Sequence, residues 1–219
     1  MQNWLFDVRS RAFLLFVLAF IIMSVLVHEK ITSGFDRSIM LYFQSAAGNH
    51  AIDLFMWGIT EVGNVISILL LSIILAIVRK TRRIGITLLL CIVIGTLASG
   101  YFKGYVIDSP RPDFEFLGSK LPYEIGQDTF VIGTNGSFPS GHATRAAIVA
   151  FVLGYILSER FPRGRYLIWI FPILESISRI YVLQHYPMDV FGGTIFGILI
   201  ANLISKRVKL NEFFKKSQV

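Results

Sequence analysis

Six apolar runs limit what this 219-residue chain can be. They lie at about 12–28, 57–78, 84–106, 140–158, 166–182 and 189–205, and each approaches the ~20 residues a helix needs to cross a bilayer. At 54% hydrophobic residues and a mean hydropathy of +0.63, the chain is more apolar than an ordinary soluble domain. The expectation is an all-α integral membrane bundle of six transmembrane helices, with residues 1–219 forming one domain. The second and fifth runs are the least clean, because Glu61 and Asn64 interrupt one and Pro172 and Glu175 the other. The first run follows Arg9 and Arg11 as a signal peptide would. No small-x-small cleavage site follows it, so it is expected to remain as the first span. Cys91 is the sole cysteine and lies mid-span, which leaves no internal disulfide.

The net charge of +7 raises the question of nucleic acid, and its placement argues against that partner. Asp7–Arg11, "RKTRR" at 79–83, "ERFPRGR" at 159–165 and the tail "KRVKLNEFFKK" hold 14 of the 21 lysines and arginines but only three acids. Connections rich in Lys and Arg stay in the cytoplasm. Both termini are therefore expected inside, with the connections 29–56, 107–139 and 183–188 outside. The tail fits an anchor to anionic lipid headgroups. The connection 107–139 carries four prolines and five acids, and a loop of that length is usually functional or a lid.

Polar residues collect at the outer ends of the spans. Lys103 closes the third and Arg111 follows it; Ser140, His142 and Arg145 open the fourth; Ser178 and Arg179 end the fifth; His185 and Asp189 open the sixth. Each has an ordinary reading: Lys103 and Arg179 as snorkelling cations, Ser140 as an N-cap, Asp189 as a first-turn acid. All must be ordinary at once for the set to mean nothing.

Three cations suit a multiply charged anion, and arginine favours phosphate because its planar fork donates two parallel hydrogen bonds. The start of the fourth span adds free backbone N–H groups and the positive end of a helix dipole, and Gly141 lets a ligand approach the backbone. "PSGH" at 139–142 thus reads as a phosphate cradle capped by Ser140. A histidine beside a carboxylate keeps one ring nitrogen as donor and the other as nucleophile. His185 and Asp189 are four residues apart, one helical turn, and can face each other, with Pro187 starting their helix. His142 is placed to protonate a leaving oxygen. The expected course is attack by His185 on phosphorus, a phosphohistidine, and release of phosphate by water that His142 activates. The outer carboxylates lack a convincing metal-ligand spacing, so no metal or other cofactor is expected.

"KGYVIDSPRP" at 103–112, "PSGH" at 139–142 and "SRIYVLQHYPMD" at 178–189 resemble the three signature motifs of the type-2 phosphatidic acid phosphatase superfamily, and the short chain resembles its bacterial phosphatidylglycerophosphatase B-like group. The six-span layout resembles that family as well. The resemblance implies that Lys103, Arg111, Ser140, Gly141 and Arg179 bind the phosphate, that His142 is the general acid and base, that His185 is the nucleophile, and that Asp189 orients it, without metal. Soluble vanadium-dependent haloperoxidases share the motifs, but six spans argue against that function. The first motif departs from the pattern: seven residues separate Lys103 from Arg111 where the family has six. Either an extra residue in the turn near Ser109–Pro110 restores the geometry or Lys103 contributes weakly.

Arg145 lies outside the motifs, about one turn past His142. It either pairs with Glu61 or Glu175 or contacts a second charged group of the substrate. The resemblance implies an enzyme of the cell membrane with its site on the extracytoplasmic side and an amphiphilic lipid phosphate as substrate. Phosphatidylglycerophosphate is favoured, with undecaprenyl pyrophosphate as the alternative. A lipid-phosphate transporter or an inactive binding protein are the non-enzyme readings. No protein partner is evident.

Overall fold

The computed structural model describes residues 5–112 and 136–210, and the fold is all-α. Most of the long outer connection, with Asp113, Glu115, Glu124 and Asp128, lies outside the described residues, as does the end of the basic tail.

Helix α1, Arg11–His28, is apolar on every side and is capped by Ser10, whose hydroxyl accepts from the Phe13 N–H at 3.2 Å. Helix α2, Ser33–Ala46, lies in the connection after α1 and is two-faced, with Asp36 and Met40 turned inward. The run expected as one span at 57–78 is two helices, α3 (His50–Val62) and α4 (Val65–Ile77), which meet at a bend of 51°. The cause is local. Asn64 accepts from the Ile66 N–H and so starts a new helix where the old one ends at Gly63. Helix α5, Arg82–Tyr101, continues into a π-helical turn, Phe102–Val106.

After the undescribed segment comes α6, Gly141–Arg160. The run at 166–182 is broken into a single turn, α7 (Gly164–Leu167), and α8 (Ile170–Tyr181). Pro172 stands in the first turn of α8, where its missing N–H is tolerated. Further inside a longer helix its ring would clash with the turn before it. Helix α9, Pro187–Arg207, starts with proline at its first position.

Among the described residues, four helical segments are long and apolar enough to cross a membrane: α1, α5 with its π turn, α6 and α9. The bent α3–α4 pair makes a fifth. The 12-residue α8 spans ~18 Å, short of the ~30 Å of hydrocarbon in a bilayer.

Helix α6 occupies the centre, against α4, α5, α8 and α9. Its residues Ile148, Val149, Phe151 and Val152 form the main core with Ile92 of α5 and Ala201 of α9. Small residues set its spacing from α9. A Cβ at Gly193 would stand 2.5 Å from the Ser140 carbonyl oxygen, and one at Gly197 2.4 Å from that of Thr144. Only glycine allows backbones to approach that closely. At the opposite end of the bundle the N-terminal segment is fastened to α9. Phe6 and Asn202 exchange two hydrogen bonds, and Lys206 pairs with Asp7 at 3.2 Å.

Candidate active site

All three motif segments arrive at one end of the bundle. Ser140 is the N-cap of α6, fully buried, and its Oγ accepts from the Ala143 N–H at 3.4 Å. Its own N–H donates to the Asp189 carbonyl at 2.9 Å, which ties the second motif to the third. Gly141 and His142 follow in the first turn, and His142 is buried. Helix α6 is the innermost helix, so its polar start faces protein and not lipid.

His185 lies in the short connection between α8 and α9, and Asp189 in the first turn of α9; each is 1% exposed. The two side chains face each other, as their four-residue spacing allows, but do not share a direct hydrogen bond. His185 precedes the helix, and its Nδ1 stands 3.6 Å from Asp189 Oδ2, too far for a hydrogen bond. Ser137 sits between them, its Oγ 3.1 Å from His185 Nδ1 and 2.5 Å from Asp189 Oδ2. The Asp189 carboxylate also accepts from the Tyr186 N–H at 2.8 Å, which anchors it to the start of its helix.

The cations come from separate elements. Arg111 donates to Gln184 Oε1 at 3.1 Å, immediately beside His185. Arg179, on the last turn of α8, donates to Thr60 Oγ1 at 3.4 Å, and Thr60 is hydrogen-bonded to Ser178 at 3.0 Å. Lys103 lies in the π-helical turn, where the Ile107 N–H reaches back to the Phe102 carbonyl at 3.0 Å. A π turn holds one residue more than an α turn. The extra residue of the first motif is therefore taken up around Lys103 itself rather than at Ser109–Pro110. Gly136 lies against the Lys103 backbone and pairs with Pro110, which brings the first motif against the second.

Burial and then the charges of Lys103, Arg111, Arg179 and Arg145 push the pKa of His185 well below that of an ordinary histidine.

Arg145 is 1% exposed, and its Nε donates to the Gly63 carbonyl at 3.3 Å. The Glu175 carboxylate, also buried, occupies the space beside the Gly63 α-carbon, so both charges meet at the α3–α4 bend. The Arg145 guanidinium also lies under Gly141, with Nη1 3.2 Å from where a Cβ would stand. Among the described residues no group of three His, Cys, Asp or Glu side chains is placed to hold a metal ion. A cavity of about 390 Å³ opens beside Asp189, lined by Lys30, Asp36, Arg37, Ser109 and Tyr186.

Sequence reasoning missed Ser137, Gln184 and Thr60. Ser137 and Gln184 adjoin motif residues, a weak signal. Thr60 had none, since it meets Arg179 from 119 positions away.

The model of the PAP2 superfamily matches residues 84–212. Phosphatidylglycerophosphatase B of Bacillus subtilis is 30% identical over 200 residues, covering 85% of this chain and 90% of that protein. An undecaprenyl-diphosphatase of Sulfolobus acidocaldarius is 34% identical over 133 residues, 59% of this chain, and the match spans little more than half, 57%, of that relative's length. Among solved structures, the transmembrane PAP2 type phosphatidylglycerolphosphate phosphatase from Bacillus subtilis superposes with a TM-score of 0.72 at 27% identity, over 90% of this chain and 96% of that one.

Proposed function

The chain belongs to the PAP2 superfamily of membrane lipid phosphatases, and we propose that its substrate is phosphatidylglycerophosphate, hydrolysed at the phosphomonoester through a phosphohistidine on His185. The observation that carries this reading is that the buried His185 meets Ser137, whose neighbour Gly136 lies against Lys103, while Arg111 holds Gln184 beside it and Ser140 at the start of α6 is tied to Asp189. Similarity over nearly the whole length of a phosphatidylglycerophosphatase supports the choice of lipid.

In this reading the three cations, the Ser140–Gly141 backbone and the α6 dipole hold the non-bridging phosphate oxygens. His185 Nε2 attacks phosphorus as His142 protonates the leaving glycerol oxygen. A water molecule, deprotonated by His142, then attacks the phosphohistidine and phosphate departs. Cations and oriented N–H groups stabilise the charge that gathers on the equatorial oxygens in both steps. No step draws on a metal.

The same reading makes residues 1–219 one membrane domain of the cell membrane. In this reading the broken α7–α8 segment carries the chain back from the end of α6 to the start of α9 as a sixth, shortened crossing, so the site lies on the extracytoplasmic side and both termini, where Asp7 meets Lys206, on the cytoplasmic side. Phosphate release from phosphatidylglycerophosphate is measured with the purified protein in detergent and excess EDTA. Release that survives EDTA and disappears in His185→Ala is expected. Release lost with EDTA, or retained by the variant, would overturn it. Undecaprenyl pyrophosphate is the second reading, favoured by the Sulfolobus relative. Faster release from that lipid than from phosphatidylglycerophosphate would establish it.

A further inference from the structure

His185 Nδ1 and Asp189 Oδ2 stand 3.6 Å apart, close enough for charge to act between them but too far for a direct hydrogen bond. Ser137 fills the gap, and its position is constrained from several sides. It is fully buried, its N–H donates to the Ser109 carbonyl at 2.7 Å, and its neighbour Gly136 is pressed against the Lys103 backbone.

A hydroxyl carries one proton and two lone pairs, and Asp189 Oδ2, which already accepts from the Tyr186 N–H, is an acceptor. The Ser137 proton therefore goes to Asp189 Oδ2. What remains on Ser137 Oγ toward His185 is a lone pair, so Nδ1 must be the donor across the 3.1 Å contact. That arrangement selects the Nδ1–H tautomer and leaves the reactive lone pair on Nε2.

We propose that Ser137 is a positioning residue for the nucleophile, which carries the influence of Asp189 to His185 and holds the imidazole in the attacking tautomer. This rests on the reading of His185 as nucleophile. When the Nε2–P bond forms, the P–O bond to the leaving oxygen breaks and that oxygen takes its proton from His142. The imidazole becomes cationic while Nδ1 keeps its proton, and the Ser137 dipole, backed by the Asp189 carboxylate, faces that charge. When water attacks phosphorus, its proton goes to His142, the N–P bond breaks, and His185 returns neutral in the same tautomer. Ser137 gains and loses nothing.

The test compares phosphate release by the full chain carrying Ser137→Ala, Ser137→Thr, Asp189→Ala and the Ser137→Ala/Asp189→Ala pair, with ¹⁵N-histidine NMR of the resting protein in micelles. Ser137→Ala is expected to lower kcat about 10- to 100-fold, the loss typical of a hydrogen bond to a charged group, with KM changed less. Threonine, which keeps the hydroxyl, should restore most of the rate. On the Asp189→Ala background the serine substitution should cost little, because the chain is already broken. The His185 signals should change from one tautomer to a mixture in Ser137→Ala. An unchanged rate and tautomer, or equal losses on both backgrounds, would overturn the inference. Full release by His185→Ala overturns the nucleophile reading instead, and the NMR tautomer then still decides the hydrogen-bond chain.

Discussion

Of the residues of α1, 17% are buried; of the first 18 of α6, 72% are. Yet α1 is the more apolar of the two, a run of Leu, Phe, Ile and Val whose Leu14, Leu15, Leu18 and Ile21 point away from the protein. In water the more apolar helix would be the more buried one. In a bilayer the lipid is as apolar as leucine, so exposure of a hydrophobic side chain costs nothing and close packing decides what lies inside. Helix α6 accordingly presents Ala143, Thr144 and Ala147 to Gly193 and Gly197 of α9, and it carries the polar residues that lipid would not tolerate. Of the four single helices long enough to span, the least hydrophobic, α6, is the one that opens on the candidate site.

That contrast can be broken or sharpened by substitution. The largest effect is expected at His142, at the inner helix's start. His142→Ala should reduce kcat by ~10²–10⁴, the usual contribution of a general acid–base, and steady-state phosphate release checks it. Next is Gly193→Val. A Cβ there would stand 2.5 Å from the Ser140 carbonyl and 3.1 Å from the Ala143 side chain, so α9 must move away from the cradle. A loss of ~1–3 kcal/mol in stability is expected, read as a lower midpoint of thermal unfolding in detergent, with activity falling alongside.

Arg145→Ala tests whether the buried arginine under Gly141 reaches the substrate. Release from a pyrophosphate or glycerophosphate headgroup should fall ~10-fold further than release from phosphatidate, the value of one charge-assisted hydrogen bond. An equal loss on all of them would make Arg145 a support for the α3–α4 bend only. Smallest is Leu18→Ala on α1, 52% exposed toward lipid. It should leave both the unfolding midpoint and kcat within about twofold of wild type, since the side chain exchanges lipid contacts for lipid contacts. A large loss there would mean that this face of α1 is covered by protein.

Much of the architecture was legible because its signals are local. A run of ~20 apolar residues declares a span wherever it is placed. Ser140 caps α6 and Pro187 starts α9 for reasons contained in a few neighbouring residues. The expectation that 57–78 is one helix was too coarse, although Asn64 offered the clue, and the run at 166–182 hid the break before Pro172 for the same reason: hydropathy averages over a window and does not see caps.

The sequence by itself determined that the chain is a helical membrane protein, and its motif residues marked the three segments that meet at one end. Their side-chain chemistry is a property of each residue type, readable without a fold. Only the tertiary structure decided which apolar helix is central and which faces lipid, that the extra residue near Lys103 is absorbed in a π turn, and that a serine separates His185 from Asp189. Those outcomes depend on distances between segments far apart in the chain. Ser137 and Asp189 are 52 positions apart, and no local pattern encodes a contact made across two helices.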